Sequence, residues 1–564
     1  MIRALVFSIV AALVPQQLPS RDAVAQTGTA SISGVVIAAA DKQPIGYARV
    51  TLNTSARITY TNAKGEFLFP KLPAGPYSIS VQASGYLGMS LGQLRPGRPG
   101  ITQVLAPGEE RKGVILAMHK GGIVSGHVVG PDGRPLADVG VGALRKSWAS
   151  DGSPVFAWSG QGKTDDRGDY RIAGLIAGSY LVEAVPPSVF GRDRSLPIDD
   201  SQRLATEGMI QTFYPGTTDP VSAVPLAVAV DTERAGIDFN IQPTLLRIVS
   251  GRIDGVVAVP MLTRTDTGER LLTGGSARLV PSAQAAGATL ADNFGRGPFA
   301  SVGPDGRFRF EAVPTGQYEL LYQGGTPASN APTPLAWGRS TVTVADRDVD
   351  DVIVSAQTGA IIAGQILTVN VAGKSSAVPA FGLTPIVGPW KENSNYLPAR
   401  SDASGVFLIG NLFPGRYAFR PSASVVGSYL SSIEVDGAPT VGTLIDVGTS
   451  DLKNVRVTFR TDVAEVSGNV RHEDLSPVTE YALVVFPSDK REWPVWMTGA
   501  GVARPDSSGH YTYSTRPGTY LIAAVEDVEQ FQWLDPAFLE SLIPTATKIT
   551  LGPSQKLTQD FVVK

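Results

Sequence analysis

Four histidines, His119, His127, His472 and His510, set the limit on metal chemistry in this chain. A hydrolytic zinc site needs clustered histidine and carboxylate ligands with a catalytic carboxylate beside them. No His-x-x-Glu or His-x-x-x-His pair occurs, and the four residues are spread over three stretches of the sequence. The carboxylates Asp165, Asp166 and Asp169 have the hard oxygens calcium prefers, but they precede or follow a turn glycine. Aspartates placed there bond the nearby backbone, so a turn accounts for them without an ion. Gly160-Gln-Gly162-Lys163-Thr164 ends like a phosphate-binding loop, yet Ala157 stands where that pattern requires its first glycine. It also leads into a turn and strand, whereas a phosphate loop opens a helix. No Gly-x-Ser-x-Gly nucleophile elbow is present. The sequence therefore offers no catalytic, cofactor-binding or metal-binding residues, and no enzyme is expected.

The seven tryptophans remain as candidate ligand-binding residues. Trp148, Trp158, Trp390, Trp493 and Trp496 lie before an Asp-x-x-Gly turn, and Trp337 and Trp533 lie after a Gly-x-Tyr strand. Aromatic rings on loops stack on the apolar faces of sugars or grip another protein. The competing expectation is that they cover an adjacent edge or an interdomain joint.

The elements that must carry these residues recur five times. The phrase reads Asn62-Ala-Lys-Gly65-Glu-Phe67-Leu-Phe69, then Gly75-Pro-Tyr77, and returns at Asp165–Tyr180, Pro304–Tyr318, Asp402–Tyr417 and Asp506–Tyr520. Asx followed by Gly makes a turn, and the alternation after it is a strand with one inward aromatic face. Gly-x-Tyr opens a second alternating strand, and its tyrosine is expected in the core with its hydroxyl on nearby backbone. Each repeat begins with a small residue and Gly: Ser33-Gly34, Ser125-Gly126, Ser250-Gly251, Ala363-Gly364 and Ser467-Gly468. A period of roughly 100 residues is domain-sized. The expected fold is all-β, a tandem array of about five Greek-key antiparallel β-sandwiches after a signal peptide.

The expected divisions are 1–25, 26–120, 121–244, 245–359, 360–462 and 463–564. The second domain carries a long insertion at 187–225, and the fifth a short helical one with Asp535 as N-cap, Pro536 at N1 and Pro544 as the stop. Links of a few residues, such as His119-Lys-Gly-Gly122, cannot act as flexible tethers, which predicts a semi-rigid rod or arc. Arg3, the apolar run Ala4–Val14 and Ala23-Val24-Ala25 read as a secretory signal. No later stretch is apolar enough to span a bilayer. With no cysteine there are no disulfides, so each domain rests on burial. The net charge is −3 and no basic run stands out, Arg95 to Arg98 holding only two arginines among Pro and Gly, so nucleic acid is not an expected partner.

These repeats resemble the carboxypeptidase regulatory-like domain, a transthyretin-like (prealbumin-like) module with a carbohydrate-binding-like fold. The resemblance rests on Ser33-Gly34-Val-Val, Pro44–Val50 and Asn62–Tyr77, and again on Ser125-Gly126, Gly133–Val139 and Asp165–Tyr180. It implies a Greek-key sandwich and no catalytic centre of its own. Such modules occur beside catalytic domains, on receptors and on bacterial surfaces. The expected role is non-enzymatic binding at the cell envelope, secreted or periplasmic, with polysaccharide or an envelope protein as partner. The alternative is a structural stalk or an accessory subunit docking a separate hydrolase or transporter.

Overall fold

The computed structural model describes residues 28–563 apart from 54–56, 94, 99, 149–153, 187–206, 257–258, 265–269, 283–288, 291–297, 325–335, 388–396, 422–426, 441–443, several positions within 473–480, 494–500 and 530. The signal segment lies outside the described residues.

The Asx-Gly phrase closes the expected turn. Asn62, Asp165, Asp402 and Asp506 each accept backbone N–H bonds two and four residues on, at 2.8–3.1 Å. The strands that follow bury alternate residues: Glu66–Leu72, Asp169–Leu175 and Val406–Leu412 turn Phe67 and Phe69, Tyr170 and Ile172, Phe407 and Ile409 inward. The corner tyrosines stand as expected. Tyr77, Tyr180, Tyr318, Tyr417 and Tyr520 each donate to the carbonyl four residues back, at 2.7–2.9 Å. Burial pushes the Tyr318 and Tyr417 hydroxyls up to about 12, so they stay donors at any working pH.

Each domain packs two sheets around its own apolar core. In domain 1 the first sheet has Ala30–Ala38 between Glu66–Leu72 and Glu110–Met118, and the second runs Arg57–Tyr60, Arg49–Leu52, Ile79–Gln82, Met89–Ser90. The same plan recurs in the other four. Within each domain the described pairs are antiparallel except that the first strand pairs in parallel with the last; between domains, Val155–Phe156 of domain 2 also pairs in parallel with Thr289–Leu290 of domain 3.

That parallel pair explains the recurrent small-residue–Gly start. A Cβ on Gly34, Gly126, Gly251, Gly364 or Gly468 would lie 1.9–2.1 Å from a last-strand carbonyl oxygen: Val114, Ile237, Val352, Val455 or Gln559. Only glycine admits so close an approach. In domains 1, 3 and 4 the ladder runs past this point with a register shift. In domains 2 and 5 the last strand is split there, and Tyr170 and Tyr511 donate to the Ile237 and Gln559 carbonyls at 2.6 Å. Domains 1, 3 and 4 have Phe67, Phe308 and Phe407 at that position. The hydroxyl is present where the split leaves the carbonyl without a ladder partner.

The second sheet departs from simple alternation in domains 2 and 5. Gly178–Val185 is buried on nearly every residue and Ala482–Pro487 on all. Both faces are covered, because the insertions fold back on the outer one. Phe213 and Ala223 pack there on Leu144 and Leu181. In domain 5 the expected helix forms at Pro536–Leu542 with Asp535 capping Ala537 N at 3.0 Å, and Leu539 and Leu542 pack on Phe486.

The stretch that carries Trp148 and Trp158 before the second turn is sheet on both sides of the undescribed residues 149–153: Gly140–Trp148 pairs along its length with Pro154–Lys163. Gly160–Gly162 therefore lies in a strand. Thr164 uses its hydroxyl to accept from Val139 N at 2.9 Å and donate to Leu136 O at 2.7 Å.

Candidate interdomain site where domain 5 meets domains 1 and 2

The joints between consecutive domains are made by hydrogen-bonded side chains and shared strands. His119 at the first joint meets Asp231 at 2.6 Å, and Lys120 N donates to the same carboxylate. Glu207–Met209 of domain 2 pairs with Pro243–Leu245 at the start of domain 3. Between domains 4 and 5, buried Asp462 accepts from Nε and Nη2 of Arg460 at 2.7–3.0 Å and from the Tyr429 hydroxyl at 2.9 Å, while its carbonyl accepts from Ser554 N.

A further contact joins the two ends. Domain 5 returns onto the first joint, so of the expected rod or arc the array takes the arc, with its two ends in contact. The loop after Met89–Ser90 carries Arg98, 6% exposed, whose Nε and Nη2 reach the two Asp527 oxygens at 2.6 and 3.1 Å. Arg98 Nη2 also lies 3.5 Å from Glu529, and the exposed Arg95 adds an ion pair to Asp527 at 3.5 Å. From domain 2, Arg145 Nη2 donates to Glu529 at 3.0 Å and to the Ala177 carbonyl at 3.1 Å. Backbone fastens the same face: Ser507 N donates to Thr102 O at 3.1 Å, and Val104 N to Ser507 Oγ at 3.3 Å. Gln93 holds the loop by donating to Arg98 O and accepting from Ser90 N.

The electrostatics favour the closed contact. Burial alone raises the Asp527 pKa, but the Arg98 bonds and charge outweigh it and hold the carboxyl below its ordinary value. Burial likewise works against Arg98, and Asp527 reverses it. Arg504 is different. Its Nε, Nη1 and Nη2 are all buried and none has a hydrogen-bond partner. Burial lowers its pKa from the ordinary arginine value, opposed by Asp527 and reinforced by Arg98.

The tryptophans do not converge. Trp493 is 3% exposed, edge-on to Phe486 at 5.8 Å, with Nε1 donating to Pro487 O at 2.8 Å. Trp337 is 5% exposed and packs with Leu321, Val280 and Phe413, bridging domains 3 and 4. Neither has a ring face free for a ligand, which corrects the expectation for these two; both cover an outer sheet face or a joint. Trp158 packs half-buried over Leu144 and Leu181, and Trp533 half-buried against the insertion helix core. Trp148 ends its strand half-buried, with the Lys146 ammonium 5.7 Å from its ring centre. Trp390 and Trp496 lie outside the described residues.

The histidines remain apart. His127 meets Asp169 at 3.0 Å, while His472 and His510 are exposed on domain 5. Among the described residues no group of three or more His, Asp or Glu is placed to hold a metal ion. Among them, too, no helix is long and apolar enough to cross a membrane.

Residues 31–102 match the family model of the carboxypeptidase regulatory-like domain. The match lies within domain 1. The other four domains share its strand plan, its parallel first-to-last pair and its corner tyrosine, so one architecture runs through the array. No curated protein matches the chain. Among solved structures, the full-length major pilin RrgB of Streptococcus pneumoniae aligns at 9% identity, covering 96% of this chain and 100% of that one, with a TM-score of 0.15. The major pilin subunit BcpA of Bacillus cereus aligns at 15% identity over 60% of this chain and 99% of that one, TM-score 0.12. The Bacillus anthracis TIE protein aligns at 9% identity over 76% and 68%, TM-score 0.14. Scores this low describe no common whole-chain arrangement.

Arg95 and Arg98 carried no functional signal in the sequence beyond being two arginines close together. The signal for Trp493 was available: Ala482–Pro487 is apolar at every position, which requires cover on both faces.

Proposed function

We propose that this chain is a non-enzymatic scaffold and binding protein of the cell envelope, secreted or periplasmic, whose five regulatory-like domains act as one rigid body. The observation that carries this reading is the Arg98–Asp527 clasp between domains 1 and 5, with hydrogen bonds at 2.6 and 3.1 Å. A tether or stalk gains nothing from such a contact. A platform that must present several surfaces at fixed angles does, because rigidity lowers the ordering cost of docking a partner. Two of the candidate ligand-binding tryptophans, Trp337 and Trp493, are already used in packing, which favours a protein partner over a sugar.

The test uses the mature chain, residues 26–564, probed against envelope fractions and a polysaccharide array. Capture of an envelope protein, unchanged by Trp148→Ala and Trp158→Ala, supports the scaffold. A saturable polysaccharide hit abolished by those changes replaces it with carbohydrate binding. That second reading rests on Trp148, whose ring lies at the tip of the Gly140–Lys163 hairpin beside the Lys146 ammonium.

A further inference from the structure

Four guanidiniums and two carboxylates meet where domain 5 closes on domains 1 and 2: Arg95, Arg98, Arg145 and Arg504 against Asp527 and Glu529. The group carries two more positive than negative charges. Arg98 and Arg145 consume the carboxylates through direct hydrogen bonds. Arg504 is left with all three nitrogens buried and no acceptor. A buried charged donor without a partner is costly, and such groups are retained where something else completes them. The guanidinium fork matches the paired oxygens of a carboxylate or phosphate.

We propose that Arg504 is the anchor of an oxyanion-binding site at this junction, taking a phosphate or carboxylate group that bridges domain 5 to domain 1. Asp527 attracts the Arg504 charge and Arg98 repels it, but neither gives its nitrogens an acceptor, which an anion bound at Arg504 would supply. Arg95, 65% exposed, stands at the solvent edge of the cluster and attracts the anion. The backbone on either side already joins the domains: Ser507, three residues beyond Arg504, bonds Thr102 and Val104. An anion on Arg504 therefore reinforces the closed array, and the array binds it only when closed.

The experiment titrates the mature chain with inorganic phosphate and, separately, with glucuronate, against sodium chloride at equal ionic strength. Calorimetry reads binding and thermal unfolding reads the midpoint. The expected result is saturable binding with a dissociation constant on the order of 1 mM or tighter. At a hundredfold excess, the domain 5 midpoint rises by about 5 °C or more. Response to phosphate alone assigns a phosphate group, and to glucuronate alone a carboxylate; either supports the site. Arg504→Met removes the uncompensated charge, so its midpoint without anion equals or exceeds that of the parent, and its anion response disappears. Arg504→Lys keeps the charge without the fork and binds at least about tenfold more weakly. The site is overturned if neither anion differs from chloride on the parent, or if both variants keep the parent's response.

Discussion

Replacing Arg98 by alanine tests the closure of the array most directly. The side chain is 6% exposed and makes two hydrogen bonds to Asp527 and a longer contact to Glu529. Removing one partner of a buried ion pair costs about 3–5 kcal/mol because the other charge is stranded. Here the stranded group is a quarter exposed and keeps Arg95 at 3.5 Å, which softens the loss. Arg95 is itself well solvated, so its pair is worth at most about 1 kcal/mol. The net cost to closure is about 2–3 kcal/mol, or roughly a 30- to 150-fold shift of the closed-to-open ratio. The chain has no cysteine, so dyes on cysteines introduced at the exposed Lys112 and Lys556 report the domain 1 to domain 5 distance without interference. Small-angle scattering reads the same change as a larger radius of gyration. Arg98→Ala should open the array at 0.15 M salt, and Asp527→Asn should do so less, because it keeps the shape of the contact. Acid should act too. The Asp527 carboxyl titrates below its unfolded value, so its contribution is complete above the ordinary carboxylate range and is lost as pH falls through the depressed value. If the dye distance and the scattering curve of Arg98→Ala match the parent's from 0.15 to 1 M salt, the clasp does not hold the array closed.

Trp493→Ala should lower the domain 5 unfolding midpoint, costing about 3–5 kcal/mol, since it empties the space between Phe486 and the helix and strands the Pro487 carbonyl; calorimetry of the full chain reads it. Gly364→Ala should destabilise domain 4 by about 3 kcal/mol, because its Cβ would meet the Val455 carbonyl oxygen at 1.9 Å; an unaltered denaturation curve would count against the close-approach account of the first-strand glycines. Tyr170→Phe should cost domain 2 about 1–2 kcal/mol by leaving the Ile237 carbonyl without its 2.6 Å donor. The reverse change, Phe407→Tyr, should gain nothing in domain 4, where the ladder runs through the equivalent Val455.

Much of the fold is legible along the chain because its signals are local. An Asx residue and a glycine set each turn, alternation after it sets the inward face, and a Gly-x-Tyr sets the corner whose hydroxyl closes on a carbonyl four residues away. The small-residue–Gly start was legible as a repeat but not as a cause: the carbonyl that demands it belongs to the last strand, as in Gly364 and Val455. The tryptophans show the same limit. Sequence placed Trp493 beside a turn, but its burial depends on a helix that begins at Pro536 and folds back over the sheet.

The sequence by itself determined the modules: their number, their cores, their turns and corners, since each is specified by contacts within one repeat and by periodicities of two. Only the tertiary structure decided how the modules stand to one another. Arg98 and Asp527 are separated by 429 residues, and no periodicity connects them. They meet because four successive joints, each fixed by its own packing and hydrogen bonds, sum to a path that returns domain 5 to domain 1. The angle of a joint depends on side-chain packing between two curved surfaces, which leaves no regular trace in the order of residues.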